Sequence, residues 1–269
     1  MTAGLYERLA RSYSEARQAD PRIAELVDAA LGDARSVVNV GAGTGSYEPM
    51  DRLVVAVEPA AAMRAQRPPG AAPCLAASAE ELPFDDAGVD AALAVYTDFH
   101  WHDRARGIAE MVRISRRRVV VLTVDAASAA RYWLIRDYFP RGLELFAPLR
   151  ELIAMLPGPT RITAVPIPHD CRDGFVQAFW RCPEALLDPD LRASMALFAR
   201  IPANEVEVGI ERLRADLAGG RWERRNRRLL ELDAADLGHR LVIWARPSAR
   251  RRPALPARPI QRGQRRRIR

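Results

Sequence analysis

The order of apolar and polar positions predicts alternating helices and strands in the first half of the chain. Asp20-Pro21 has the residue types of a helix start, and apolar residues at helical spacing continue from there to Gly32. Short apolar runs predict strands over 36–40, 53–57, 72–76, 89–95 and 118–124, with a helix after Asp103. Because these strands are apolar without alternation and several helices separate them, they predict a parallel sheet covered on both faces, an α/β fold.

After residue 125 the pattern becomes mainly helical. Apolar stripes predict one helix around Tyr132–Phe139 and a second over Leu145–Leu156, and helical spacing returns over 172–218. Strand-like runs lie at 161–167 and 241–245. We therefore predict a single domain over 1–246, in which a core at about 20–125, 161–167 and 240–246 carries a helical cap at about 126–160 and 171–238.

The charge of the chain is concentrated at one end. The 269 residues include 41 basic and 34 acidic side chains, with a net charge of +7 and an isoelectric point near 10.0. Such values are typical of nucleic-acid-binding proteins. Ten of the arginines lie in 246–269, where there is no acid, and subtracting them from +7 leaves −3 for residues 1–245. Residues 247–269, rich in Arg and Pro, are predicted to be disordered, and the acidic body argues against nucleic acid as a partner.

The first 18 residues contain no apolar segment of the kind found in secretory signals. No run approaches the 18 apolar residues that a membrane span requires. We expect a cytoplasmic protein without a membrane span.

The glycine-rich turn Gly41-Ala-Gly-Thr-Gly45 follows the first predicted strand and permits close approach to a ligand. A P-loop requires a lysine after the last glycine, and Ser46 stands there. A dinucleotide fingerprint requires G-x-G-x-x-G opening a full helix, whereas here the spacing is G-x-G-x-G and Pro49 leaves barely two turns. S-adenosylmethionine has no phosphate, and its ribose hydroxyls could donate to Glu58 at the end of the second strand. The pattern favours this third ligand.

Four segments resemble the motifs of class I S-adenosylmethionine-dependent methyltransferases, especially the small-molecule group similar to ubiquinone/menaquinone C-methyltransferases (methyltransferase type 11). They are VVNVGAGTG at 37–45, VVAVEP at 54–59, SAEELPF at 78–84 and VDAALAV at 89–95 with the loop YTDFHW at 96–101. Residues 116–124 match the family's fifth strand. The resemblance spans about residues 1–125 and implies a Rossmann-like, doubly wound, mostly parallel seven-stranded sheet with an antiparallel last strand, plus helical cap insertions.

The resemblance also implies S-adenosyl-L-methionine as cofactor and assigns residues to it. The residues that it places around the cofactor are Asn39, Gly41, Ala42, Gly43, Gly45, Glu58, Pro59, Ser78 and Ala79, with Tyr13 and Arg17 from the N-terminal segment. Two positions depart from the family pattern. Asn39 replaces an acidic residue, and Ser78 replaces an aspartate, so that a hydrogen-bond acceptor is retained at each while the charge is lost.

The loop after the fourth strand carries the candidate catalytic residues. His100 is our first candidate for a base or an acceptor-positioning group, because imidazole titrates near neutrality, and Asp98 lies beside it. Alternatively, His100 and Trp101 form a packed loop that only shapes the pocket. His169 could face the pocket from the cap. No second pair of ligands has the spacing of a zinc site, so we expect no metal.

The leading hypothesis is an enzyme that moves a methyl group from S-adenosylmethionine to an O, N or C atom of a small-molecule acceptor. The aromatic residues of the cap suit an apolar or aromatic acceptor. Two alternatives stay open: a nucleic-acid-directed protein that uses the arginine-rich tail, and a non-catalytic, cofactor-binding member of the same fold. The sequence leaves the oligomeric state open.

Overall fold

A computed structural model describes residues 17–247 of the protein. Its strands are β1 Ser36–Val40, β2 Leu53–Val57, β3 Cys74–Leu75, β4 Val89–Val95, β5 Ser115–Val124, β6 Thr160–Ala164, β7 Ile167–Pro168, β8 Ala234–Ala235 and β9 His239–Ala245. Seven of these strands form one sheet with the order β3-β2-β1-β4-β5-β9-β6, and a separate two-stranded sheet pairs β7 with β8.

Strands β1 to β5 are parallel to one another, and β9 is inserted antiparallel between β5 and β6. This arrangement confirms the predicted fold class, a Rossmann-like, mostly parallel sheet whose last strand is antiparallel. The parallel strands place their carboxyl ends along one edge of the sheet, which is where ligands bind in open α/β sheets.

Nine α-helices lie among the described residues. They are α1 Pro21–Leu31, α2 Ala61–Arg64, α3 Arg104–Ile114, α4 Ala126–Ala129, α5 Leu149–Met155, α6 Pro189–Ala193, α7 Ala196–Arg200, α8 Ala203–Ala218 and α9 Arg221–Asn226. The predicted caps are present: the Asp20 side chain accepts from the Arg22 amide at the start of α1, and Asp103 accepts from the Arg106 amide at the start of α3.

Successive strand residues point to opposite faces of the sheet, so the apolar strands contribute side chains to two hydrophobic clusters, one on each face. One cluster contains Leu93 and Leu122 together with α1 and the cap. The other contains Ala94 and Val121 together with α3 and α5. Both faces of the sheet are therefore covered, as the unalternating strands predict.

Three buried tryptophans join the segments of the cap. The Trp133 indole donates to the Trp180 carbonyl at 2.9 Å and contacts Trp222 edge to face at 5.3 Å between ring centroids. The Trp180 indole donates in turn to the Ile167 carbonyl at 3.1 Å. These contacts hold the segments of the cap to one another and to β7.

The structure departs from the sequence predictions in three places. Helix α5, predicted as part of the cap, packs on the opposite face of the sheet because Leu152 and Leu156 meet the apolar side of α3. The strand predicted over 161–167 ends at Ala164 and is followed by the separate β7. The helical region predicted over 172–218 is divided into short helices and turns before α8, because Pro183, Pro189 and Pro202 interrupt it.

Within residues 17–247 there is no helix long and apolar enough to cross a membrane. Tyr13 and residues 248–269 of the predicted tail lie outside the described residues. The boundaries proposed for the single domain stay a prediction.

Asp90 links three strands at the amino-terminal edge of the sheet. One carboxylate oxygen accepts from the amides of Arg35 and Ser36 at 2.8 and 3.1 Å, and the other accepts from the Arg116 guanidinium at 2.8 Å. Arg116, with the two amides, holds the pKa of Asp90 well below its usual range although burial opposes the shift. The carboxylate therefore connects β1, β4 and β5.

We predict that Asp90→Ala lowers the free energy of unfolding by about 3 kcal/mol, because two partly buried amides and the Arg116 guanidinium lose their acceptor. Urea denaturation at neutral pH measures the loss. The matched control is Asp86→Ala, whose side chain is 82% exposed and pairs with Arg113, and we expect a loss below about 1 kcal/mol there. Equal losses in the two variants would contradict the role given to Asp90.

Candidate functional site

The glycine-rich turn leaves β1 in left-handed backbone conformations. Gly41 and Gly43 have φ angles of +66° and +54°. A Cβ atom on Gly41 would lie 2.2 Å from Oγ1 of Thr97, in the loop after β4, whereas a Cβ on Gly43 would meet nothing within 4 Å. Gly41 therefore permits the approach of two loops, and Gly43 borders open space. Between Gly45 and β2 the described chain forms turns and no helix.

Glu58 lies directly after β2 and connects the glycine-rich turn to this strand by hydrogen bonds. Its carboxylate accepts from the Gly43 amide and from the Ala60 amide, each at 2.9 Å. The residue is 7% exposed and lines a cavity beside the turn. Each carboxylate oxygen has more than one acceptor position, so the side chain can accept further hydrogen bonds from a ligand.

The cavity has a volume of about 260 Å³ and lies at the carboxyl ends of the parallel strands. It brings together most of the residues assigned to the cofactor: Arg17, Asn39, Gly41, Ala42, Gly43, Glu58, Pro59, Ser78 and Ala79. Gly45 is not part of this lining, and a Cβ there would lie 3.1 Å from the Arg67 guanidinium. His100 also lines the cavity.

Asn39 lies in the wall of the cavity and is held by Glu48. Its amide nitrogen donates to Glu48 at 3.1 Å, and Glu48 forms an ion pair with Arg67 at 2.7 Å. Its oxygen, Oδ1, is buried and has no hydrogen-bond partner among residues 17–247. Glu48 thus orients the amide and leaves an acceptor atom available at the wall of the cavity.

Tyr96, which is not among the site residues predicted from the sequence, lines the same cavity. Tyr96 has a φ of +52°, and its hydroxyl lies 2.7 Å from Nδ1 of His239, the first residue of β9. A left-handed tyrosine is uncommon and indicates a residue held by its surroundings. The only sequence signal was its position directly after the fourth strand.

His100 is placed at the cavity but is not poised to titrate near neutrality. Burial lowers the pKa of His100 to about 3, and the charges of Arg200 and Arg17 contribute to the shift. Its Nδ1 lies 2.9 Å from the Arg200 guanidinium. Because a guanidinium only donates, Nδ1 is the acceptor and the ring hydrogen is on Nε2. The expectation of an imidazole that titrates near neutrality is not met.

The other two catalytic candidates lie away from the cavity. Asp98 is fully buried, and its carboxylate accepts from the Arg104 guanidinium at 2.9 Å, so that it anchors the start of α3. His169 lies beside the β7–β8 sheet, where its amide donates to the Asp233 carbonyl at 2.9 Å. The geometry brings neither side chain into the lining of the cavity.

A second, smaller cavity of about 80 Å³ adjoins the first and shares Arg17, Tyr96 and His100 with it. Its wall is mostly apolar and comes largely from the cap. The apolar residues include Val124, Leu145, Phe146, Phe175, Val176, Met195, Ala196 and Leu197. Within the described part of the chain, no group of three or more metal-ligating side chains comes together.

Comparison with known proteins identifies the family. A family model described as a methyltransferase domain matches residues 38–123. A solved structure from Anabaena variabilis, assigned as a methyltransferase from an antibiotic biosynthesis pathway, is 33% identical and aligns over 85% of this chain and 98% of its own, with a TM-score of 0.78. The chain belongs to the class I S-adenosylmethionine-dependent methyltransferases. The predicted family, enzyme class and cofactor are confirmed.

Two further comparisons are more limited in extent. Uncharacterized methyltransferases of Mycobacterium tuberculosis and Mycobacterium bovis are 41% identical over 124 residues, a match that spans 42% of this chain and 45% of each relative. The chain thus matches less than half the length of these curated relatives. A methyltransferase of Thermotoga maritima, 24% identical with a TM-score of 0.51, covers 61% of this chain and 84% of its own, and shares the fold.

The buried histidines predict how this methyltransferase responds to acid. Burial lowers the pKa of His100 and of His239 to about 3, against 6.5 for an exposed imidazole. Between pH 6.5 and 3 the unfolded chain therefore binds protons that the folded protein does not, and stability falls as the pH falls. We expect each histidine to lower the free energy of unfolding by about 1 kcal/mol between pH 6 and pH 5.

Urea denaturation at these two pH values measures the change. His100→Asn should reduce the change in the free energy of unfolding between pH 6 and pH 5 by about 1 kcal/mol, the contribution of one histidine. His102→Asn, at an exposed position, should leave this change as it is in the wild type. An unaltered pH dependence in His100→Asn would contradict the buried, neutral state of this side chain.

Proposed function

We propose that this methyltransferase transfers a methyl group to a small, mainly apolar acceptor held between the carboxyl-end edge of the sheet and the helical cap. The observation that supports this proposal is the presence of two adjoining cavities. The larger has the polar groups that a cofactor requires, and the smaller has a mainly apolar wall. Since both share Tyr96 and His100, ligands in the two cavities would meet at these side chains.

The residues of the larger cavity fit S-adenosylmethionine on several counts. The unpartnered oxygen of Asn39 would accept from the amino group of the methionine part. Glu58 would accept from the ribose hydroxyls, and the open space beside Gly43 allows the ligand to approach the backbone. Ser78 and Ala79 would border the adenine. Arg17, which is paired with Asp173, would lie near the methionine carboxylate.

The bound cofactor supplies a methyl group on a positively charged sulfur, which makes the methyl carbon electrophilic. Displacement at such a carbon depends on in-line positioning of the acceptor atom. The apolar wall of the smaller cavity would hold the acceptor and exclude water. His100, neutral and with Nδ1 engaged by Arg200, would contact the acceptor and help to position it instead of removing a proton.

Glu58 provides the first test. We predict that Glu58→Gln weakens binding of S-adenosylhomocysteine by about tenfold to a hundredfold, because hydrogen bonds to a charged acceptor are replaced by weaker ones. Isothermal titration calorimetry measures the affinity. Glu81→Gln, at an exposed position in the loop between β3 and β4, is the control and should bind S-adenosylhomocysteine as the wild type does. Absence of binding to the wild type would overturn the proposed function, and unchanged affinity in Glu58→Gln would overturn the role of this residue.

Two glycines give a second, sterically matched test. Gly43 and Gly70 both have positive φ angles, +54° and +86°, and a Cβ on either would meet nothing within 4 Å. Alanine at either position therefore carries a similar backbone strain of about 1 kcal/mol. Only Gly43 lines the cavity, so we predict that Gly43→Ala weakens S-adenosylhomocysteine binding at least fivefold and that Gly70→Ala does not. Equal affinities in the two variants would show that the ligand does not approach this backbone.

A further inference from the structure

Two buried nitrogen atoms in the wall of the smaller cavity lack partners. Gln177 is 3% exposed and His239 is 1% exposed, and both line this cavity. The Nε2 atom of each has no hydrogen-bond partner among residues 17–247. Buried polar atoms are nearly always paired in folded proteins, since an unpaired donor is destabilising. Because both side chains line the cavity, a ligand bound there would be placed to supply these partners.

The contact with Tyr96 determines which His239 nitrogen carries the hydrogen. Burial raises the pKa of Tyr96 well above its ordinary value and lowers the pKa of His239 to about 3, so both groups are neutral. The Tyr96 hydroxyl lies 2.7 Å from Nδ1 of His239. Because a phenol is the stronger donor and an imidazole nitrogen the stronger acceptor, the hydroxyl donates to Nδ1 and the ring hydrogen is on Nε2. His239 Nε2 is thus a donor, as is the Gln177 amide nitrogen.

Several other polar groups of this wall are already engaged. The Ser194 hydroxyl donates to the Leu191 carbonyl at 2.7 Å. Arg17 is paired with Asp173, and Nδ1 of His100 is in contact with Arg200. The remaining side chains are apolar. The cavity therefore offers at least two hydrogen-bond donors in a mainly apolar enclosure, which is complementary to an apolar molecule with an oxygen acceptor.

We propose that Gln177 and His239 determine acceptor specificity by donating hydrogen bonds to an oxygen, such as a carbonyl oxygen, on an apolar or aromatic acceptor. The proposal rests on the proposed function and narrows its substrate class. Tyr96 is a positioning residue, because it fixes the tautomer of His239. Its ring is held in turn by Tyr47 and Phe175, at centroid distances of 6.3 and 5.5 Å.

The test compares two probes of nearly equal shape, acetophenone and α-methylstyrene, which differ by a carbonyl oxygen in place of a methylene group. Each is titrated into the full-length protein saturated with S-adenosylhomocysteine, and binding is followed by NMR, including the side-chain amide signals of Gln177. We expect acetophenone to bind at least tenfold more tightly than α-methylstyrene, with a shift of the Gln177 amide signals.

Substitutions then assign the preference to the two residues. Gln177→Met and His239→Phe should each reduce the preference for acetophenone to about threefold or less. Ser194→Ala is the matched control, since this side chain lines the same cavity but its hydroxyl is engaged with Leu191, and it should retain the preference. In the wild type, the ¹⁵N chemical shifts of His239 should show hydrogen on Nε2, and Tyr96→Phe should alter this tautomer.

The outcomes separate this proposal from the proposed function. Absence of S-adenosylhomocysteine binding would overturn the proposed function itself. Binding of S-adenosylhomocysteine with equal affinity for the two probes, or with no acetophenone binding at about 10 mM, a concentration that still detects a weak ligand, would overturn only the specificity proposal. A retained preference in Gln177→Met would also overturn the role of Gln177. The comparison of the probes on the wild type requires no variant, so it decides the proposal even if a substitution prevents folding.

Discussion

The close approach of Gly41 to Thr97 is the contact on which the site depends. It brings the turn after β1 against the loop after β4, and only a residue without a Cβ allows it, because that atom would lie 2.2 Å from Oγ1 of Thr97. Glu58 then fixes the same turn to the end of β2 by accepting from the Gly43 amide. Three strand ends are thereby joined around one cavity, and the cavity remains open at Gly43. The parallel sheet provides this convergence, since the carboxyl ends of its strands share one edge.

Buried polar groups in this structure differ in how fully they are hydrogen-bonded. Asp90 is bonded on both carboxylate oxygens and joins three strands at the opposite edge of the sheet. Around the two cavities, by contrast, Asn39, Gln177 and His239 each keep a buried atom without a partner in the described part of the chain. Such atoms destabilise the free protein, and a ligand that pairs with them recovers that free energy on binding. The same atoms would therefore contribute to both affinity and specificity.

The structure of the first half of the chain was easier to predict from the sequence than the structure of the second half. In residues 20–125 most neighbouring strands follow one another in sequence, with β1 beside β2, β2 beside β3 and β4 beside β5, and the helix caps at Asp20 and Asp103 act within a few residues. The cap is held instead by long-range contacts, such as the pairing of Trp133 with Trp180. Local periodicity could not show that α5 packs beside α3, because an apolar stripe indicates that a face is buried and not which partner buries it.

The sequence by itself determined the parallel sheet, the glycine-rich turn and the acid at Glu58, because these depend on apolar runs, on residues without a Cβ and on short spacings. Only the tertiary structure decided which polar side chains meet. It paired Tyr96 with His239, which is 143 residues away, and buried His100 so that its pKa falls to about 3. Such outcomes depend on desolvation and on contacts between distant segments, and neither is encoded in the spacing of residues along the chain.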